Sequence, residues 1–232
     1  MGDAKKFPST RWTCIQRICS GNQSEARAAM EEVCQTYWRP LYGFAISLNP
    51  SHQDAEDCVQ EFLVRVSSEG FFEPVAPHRG KLRSYLLVSF KRFIYDSWKK
   101  RSSQKRGGTN QDLPLDEFLV ADEHASDPSI AYDQEWAKVV VDDTHVRLRN
   151  RYKELGNEAI YNELESCIDG TPLENTVATA QKLNLSSVAL KSAVHRIRRR
   201  FGDELKKVVA ETVHSEGEVE EEIRWLIKIL QP

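Results

Sequence analysis

His52-Gln53-Asp54-Ala55-Glu56-Asp57-Cys58-Val59-Gln60-Glu61-Phe62-Leu63-Val64-Arg65-Val66-Ser67 is the stretch that decides the fold class. Ala55, Cys58, Val59, Phe62, Leu63 and Val66 recur at i, i+3 and i+4, the spacing of one helix face. Asp54, Asp57, Glu61 and Arg65 fall on the opposite face, with acid in the first turn as the helix dipole prefers. The segment therefore reads as an amphipathic helix with one side for a core and one charged side.

Working upstream, Asn49-Pro50-Ser51 breaks the chain. Residues 24–47 read as one helix, with Ala28, Val33, Tyr37, Leu41, Phe44 and Ala45 as its apolar stripe. Pro40 is expected to kink or split it. Downstream, Gly70 to Gly80 reads as a loop carrying Phe71 and Phe72. A helix from about Lys81 to Arg101 follows. Leu82, Tyr85, Leu86, Phe90, Phe93, Ile94 and Ser97 share its inner side; Ser84, Val88, Lys91, Arg92, Tyr95 and Lys99 share its outer side. A tyrosine and a valine on a basic outer face are unusual for a purely solvated surface.

Residues 102–131 hold Gly107-Gly108, Pro114 and Pro128 without a helical period, and read as a linker. Helical patterning then resumes. One helix spans Gln134 to Leu155 and ends at Gly156; another spans Glu158 to Ile168. Thr171-Pro172 is read as N-cap and first helical residue of a helix reaching Leu183. Asn184-Leu185-Ser186 is a tight turn, after which Ser186 or Ser187 caps a helix to about Thr212. Leu190, Val194, Ile197, Phe201 and Leu205 are its inner positions. No alternating β-branched run flanked by hairpin turns occurs. The reading is an all-α chain of two small helical domains, residues 11–101 and 134–213. A flexible acidic linker, 102–133, joins them, and an amphipathic helix, 214–232, follows.

The 232 residues carry a net charge of −3, which hides strong segregation. Residues 79–106 hold ten Lys and Arg against the single acid Asp96, and residues 191–207 hold seven against two acids. Residues 110–135 carry eight acids, and residues 211–222 six glutamates, neither with a Lys or Arg. Two basic stripes on helices of separate domains point to an anionic partner such as DNA. The apolar runs are too short for a membrane span, and Met1 to Pro8 lacks the apolar core of a signal peptide. Five cysteines without a CxxC pair or zinc spacing suggest reduced thiols in a cytoplasm.

A short helix, a tight turn and a helix with a basic outer face form the helix-turn-helix pattern. Its second helix would enter the major groove. Lys191 and Arg196 suit guanine edges, and Ser187, Ser192 and His195 suit bases or phosphates. Arg198, Arg199 and Arg200, further along, suit phosphates. A basic helical hairpin within an ordinary bundle gives the same pattern. The six histidines are scattered, Gly107-Gly108 lacks the companions of a phosphate loop, and Asp142-Asp143 reads as a solvated pair. No catalytic constellation, cofactor site or metal site is expected.

Over about residues 11–213 the chain resembles bacterial RNA polymerase sigma factors of the extracytoplasmic-function (ECF) group, which keep only the second and fourth sigma regions. The resemblance is carried by Tyr37-Trp38-Arg39-Pro40-Leu41-Tyr42, by Asp54-Ala55-Glu56-Asp57-Cys58-Val59-Gln60-Glu61-Phe62, by Arg79-Gly80-Lys81-Leu82-Arg83-Ser84-Tyr85-Leu86 with its basic continuation, and by Leu183 through Arg196. It implies a region 2 helical bundle over 11–101 and a region 4 helix-turn-helix over 134–213. Asp54, Asp57, Gln60, Glu61 and Arg65 would then dock on RNA polymerase. Lys91, Arg92, Tyr95 and Lys99 would hold a melted minus-ten strand, and the Phe71–Arg79 loop would capture a flipped base. Ser187, Lys191, Ser192, His195, Arg196 and Arg199 would bind the minus-thirty-five duplex. Core RNA polymerase, promoter DNA in duplex and single-stranded form, and an anti-sigma factor or other regulator are the implied partners. The chain departs from many relatives at Tyr85, where they carry tryptophan, and at Arg92, where they carry asparagine. Two alternatives remain open: a helix-turn-helix regulator acting without polymerase, and a scaffold that binds no nucleic acid.

The last segment repeats the amphipathic theme. Val219, Ile223, Leu226, Ile227 and Leu230 form an apolar stripe behind the acidic run Glu216–Glu222. It is expected to fold back on one of the two domains and bring its glutamates to basic residues.

Overall fold

The computed structural model describes residues 11–20, 22–48, 51–68, 70–72, 81–106, 127–213 and 215–231, with backbone alone for 11–13 and 101–106. Among them every regular element is helical. The helices are α1 (Arg11–Cys19), α2 (Gln23–Leu48), α3 (His52–Val66), α4 (Leu82–Arg106), α5 (Pro128–Glu154), α6 (Glu158–Leu164), α7 (Thr176–Lys182), α8 (Ser187–Ala210) and α9 (Val219–Leu230). None is long and apolar enough to cross a membrane. The chain divides into two compact units, Met1–Val139 with Ala210–Pro232, and Val140–Val209. The boundary falls inside α5, and α9 belongs to the first unit. Of the expected linker 102–133, residues 102–106 are helical as the end of α4 and 128–133 as the start of α5. Residues 107–126 lie outside the described residues.

In the first unit, α2 stays one helix through Pro40 instead of splitting. Its inner stripe is Ala29, Val33, Tyr37, Leu41, Phe44 and Ala45; Ala29, not the expected Ala28, is buried, because it continues the i+4 row through Val33. Helix α3 is capped by Ser51, whose side chain accepts from the Asp54 amide at 3.3 Å. It buries Ala55, Val59, Phe62, Leu63 and Val66. Aromatic rings fill the space between α2, α3 and α4: Phe62 lies 4.8 Å from Phe90, and Phe44 lies 5.8 Å from Phe90 in an edge-on arrangement. Such pairs contribute roughly 0.5–1.5 kcal/mol beyond their buried area. The first half of α5 joins this core through Trp136, stacked 5.2 Å from Tyr37. The approach needs Gly43 on α2, where a Cβ would meet the Glu135 side chain at 2.9 Å and the Ala131 carbonyl at 3.2 Å. Helix α1, with Cys14 and Ile15 buried, packs on α2.

Helix α9 is docked within the first unit, by only part of the expected stripe. Val219 and Leu226 are buried, whereas Ile227 and Leu230 are exposed. The buried row is Val219, Glu222 and Leu226, at i, i+3 and i+7, so a carboxylate takes an inner position. Its cation partners at the start of α4, Lys81 and Arg83, explain the rotation of the helix.

The second unit is built on Leu148, Tyr152, Tyr161, Leu164, Ala180, Leu190, Ala193 and Ile197. Helix α5 ends as expected at Gly156, φ 68°, with the Asn157 amide donating to the Tyr152 carbonyl at 2.8 Å. Helix α7 begins later than expected. Asn175, not Thr171, caps it by accepting from the Ala178 amide at 2.9 Å. The Thr171 amide is already taken by the Asp169 side chain at 2.9 Å, a local turn that competes with helix start.

Candidate nucleic-acid interface

The turn between α7 and α8 is fixed by backbone chemistry. Asn184 takes φ 53°, a left-handed value that asparagine tolerates better than most residues. Its amide donates to the Gln181 carbonyl at 3.0 Å, and the Leu185 amide reaches the Ala180 carbonyl at 2.8 Å. Those two bonds close a Schellman motif, and Leu185 packs against the core beneath it. The chain then enters α8 with Ser186 as N-cap, accepting from the Ala189 amide at 3.2 Å. Leu190, Ala193 and Ile197 point inward. Ser187, Lys191, Ser192, His195, Arg196 and Arg199 are all exposed on the other side of α8. The structure thus gathers the whole expected duplex-binding set on one helix face.

Two members of the arginine triplet are engaged within the unit. Arg198 Nε donates to the Cys167 carbonyl at 2.6 Å, and the Arg200 guanidinium lies 5.2 Å from the Tyr152 ring. Arg198 and Arg199 are nonetheless exposed, whereas Arg200 is half-buried. Val188, 73% exposed in the middle of the same face, was not singled out in the sequence. Its spacings of i+3, i+4 and i+7 to Lys191, Ser192 and His195 were the available signal.

On α3, Asp54, Asp57, Gln60, Glu61 and Arg65 are all exposed, opposite the buried stripe. Gln53 donates to Asp57 at 3.3 Å along this face. Val64, also 73% exposed, adds an apolar point beside Gln60 and Glu61 that charge reading passed over. A charged face with one exposed aliphatic centre suits protein docking better than a plain solvated face does.

On α4, Leu82, Leu86 and Phe90 are buried, and Arg92 and Lys99 are exposed. Tyr95 is half-buried beside the exposed Trp98, their ring centroids 6.4 Å apart. Trp98 was missed because it lies at the edge of the outer stripe. Lys91 is turned inward relative to its expected role: Nζ donates to Ser129 Oγ at 2.7 Å and lies 5.5 Å from the Phe44 ring. The remaining outer face sets cations beside two aromatic rings, a chemistry suited to a phosphate backbone and to unpaired bases. Phe71 and Phe72 act as core anchors, Phe71 lying 5.7 Å from Tyr85 and 6.2 Å from Phe62. The rest of the expected base-capture loop, residues 73–80, lies outside the described residues.

Burial raises the Asp133 carboxyl above its ordinary range, and Arg83 and Lys91 oppose that rise. Burial and the hydrogen bond to Glu165 raise Tyr161.

Residues 33–104 match the protein-family model described as Sigma-70 region 2. The matched span takes in α3 and most of α2 and α4, and with them two of the three faces described above. It is a non-catalytic, regulatory kind of domain. No curated protein and no solved structure matches the chain.

Proposed function

We propose that the chain is a promoter-recognition subunit of bacterial RNA polymerase, of the extracytoplasmic-function type, which directs promoter binding, strand opening and initiation. The observation that carries this reading is the coincidence of the region 2 match with two exposed faces of matching chemistry, on α3 and α4. In this reading residues 11–101 do the work of region 2, and 134–213 the work of region 4. Asp54, Asp57, Gln60, Glu61 and Arg65, with Val64, dock on core polymerase. Arg92, Tyr95, Trp98 and Lys99 hold the melted minus-ten strand, with Lys91 supporting them from below. Ser187, Val188, Lys191, Ser192, His195, Arg196 and Arg199 enter the minus-thirty-five major groove, where Val188 would contact a thymine methyl. An anti-sigma factor or another regulator would act by covering these faces.

A second reading, a duplex-binding regulator that works without polymerase, draws support from the helix-turn-helix lying outside the matched span. It leaves the α3 face without a use. Binding to purified core RNA polymerase separates the two. The first reading expects a stable complex that the charge reversal Asp57→Lys/Glu61→Lys weakens while the helical fold persists, since exposed charges add little to stability. Absence of a complex with the unaltered protein would favour the second.

A further inference from the structure

Helix α4 starts badly by its own sequence. The amino end of a helix is electropositive, and acids are favoured there. The first turn of α4 has no acid and instead carries Arg83, with Lys81 just before it. The missing negative charge comes from far along the chain. Glu222 of α9, only 2% exposed, accepts hydrogen bonds from Lys81 Nζ and from both terminal nitrogens of Arg83. Arg83, itself 9% exposed, is also held through its planar face, 3.9 Å from the Trp225 ring and 6.0 Å from the Trp136 ring. Its carbonyl accepts from Tyr132 Oη at 3.0 Å. The first turn of α4 is thus gripped by α9 and by α5, both within the first unit.

This arrangement admits two uses: α9 could mask basic residues from DNA, or it could hold α4 in place. Helical geometry decides. At about 100° per residue, Arg83 shares its side of α4 with Leu86 and Phe90, and Arg92, Tyr95 and Lys99 lie on the opposite side. Burial agrees, with Leu86 and Phe90 buried and Arg92 and Lys99 exposed. Helix α9 therefore grips the back of α4 and leaves its outer face open.

We propose that Glu222 and Trp225 are positioning residues for single-strand binding: α9 completes the strand-opening domain by fixing the start, and so the presentation, of α4. The proposal rests on the reading of the outer α4 face as the single-strand site. Without Glu222, Arg83 loses the counter-charge that keeps it inside. Relaxation of the first turn then propagates along a rigid helix to Arg92, Tyr95, Trp98 and Lys99.

The test uses the full chain and a short fluorescein-labelled single-stranded DNA of randomised sequence, read by anisotropy over a salt series. Glu222→Gln should weaken binding about tenfold, the worth of stacking one base on an aromatic ring. It should also flatten the plot of log affinity against log salt, by about 0.7 for each phosphate that is no longer neutralised. A protein truncated after Val213 should behave the same way. A peptide of residues 214–232 added in trans should restore its binding, and the peptide carrying Glu222→Gln should not. An unchanged salt slope with only a smaller binding-competent fraction would reduce α9 to a stabilising helix and overturn the proposal. Tighter binding after truncation would overturn it in favour of masking. Arg92→Ala and Tyr95→Ala serve as controls. If they have no effect, the α4 reading fails and takes this inference with it; if they weaken binding and Glu222→Gln does not, this inference alone fails.

Discussion

Replacing Glu222 by leucine removes the counter-charge from a buried guanidinium. Arg83 keeps about a tenth of its side chain in water and Glu222 almost none, so this pair belongs to the buried regime. Breaking such a pair from one side costs roughly 3–5 kcal/mol, because the remaining charge stays desolvated. Lys81 keeps 32% of its side chain exposed, so its share is that of a surface pair, at most about 1 kcal/mol. Arg83→Met leaves Glu222 with Lys81 as its remaining partner, so a loss of roughly 2–3 kcal/mol is expected. The double variant Arg83→Met/Glu222→Leu places two apolar side chains between Trp136 and Trp225. It should return to within about 1 kcal/mol of the unaltered protein, since apolar replacements of buried pairs are often neutral. The coupling energy then comes to about 4 kcal/mol or more. Urea unfolding followed by tryptophan fluorescence measures it, with Trp136 and Trp225 reporting from beside the altered pair. Additive single variants, with coupling below about 0.5 kcal/mol, would refute the reasoning and put Glu222 among ordinary surface charges.

Three further perturbations probe other parts of the account. Lys191→Ala or Arg196→Ala should each weaken promoter-duplex binding by about 1–3 kcal/mol in an anisotropy titration, and Val188→Ala should remove any preference for thymine over uracil at one base pair. Asn184→Ala should destabilise the second unit by about 1–2 kcal/mol in thermal unfolding, and Asn184→Gly should not, because φ 53° is strained for alanine alone. Asp133→Asn tests the raised carboxyl. Burial, the largest cause, disfavours its charged form, so the stability linked to it is complete below the unfolded carboxylate range, near pH 3.9, and is lost as pH rises through the higher folded value. The urea midpoint of the asparagine variant should therefore lack that loss.

The helices that carry the exposed faces were legible because their periodicity is strong. On α3, every expected core position except the half-buried Cys58 is buried, and every expected charged position is exposed. On α8, the turn chemistry of Asn184-Leu185-Ser186 placed the helix start to within a residue. Helix α1 went unread because it has only nine residues, too few for Cys14, Ile15 and Ile18 to stand out as a stripe. Helix α7 was started too early, because Thr171-Pro172 carries the same local signal as a true cap. The inner face of α9 could not be read from hydrophobicity, which places Ile223 and Ile227 inside and a glutamate outside. Only Lys81 and Arg83, some 140 residues away, make an inner glutamate favourable. The inward contacts of Lys91 were equally illegible, since Ser129 and the Phe44 ring are tertiary neighbours.

Run-off transcription tests the central claim most directly, with core RNA polymerase, the purified protein and a pool of genomic promoter fragments. The account predicts discrete transcripts that require the protein, are abolished by Asp57→Lys/Glu61→Lys, and are weakened by Lys191→Ala/Arg196→Ala. A protein that binds duplex DNA yet gives core polymerase no start-specific transcripts would contradict it.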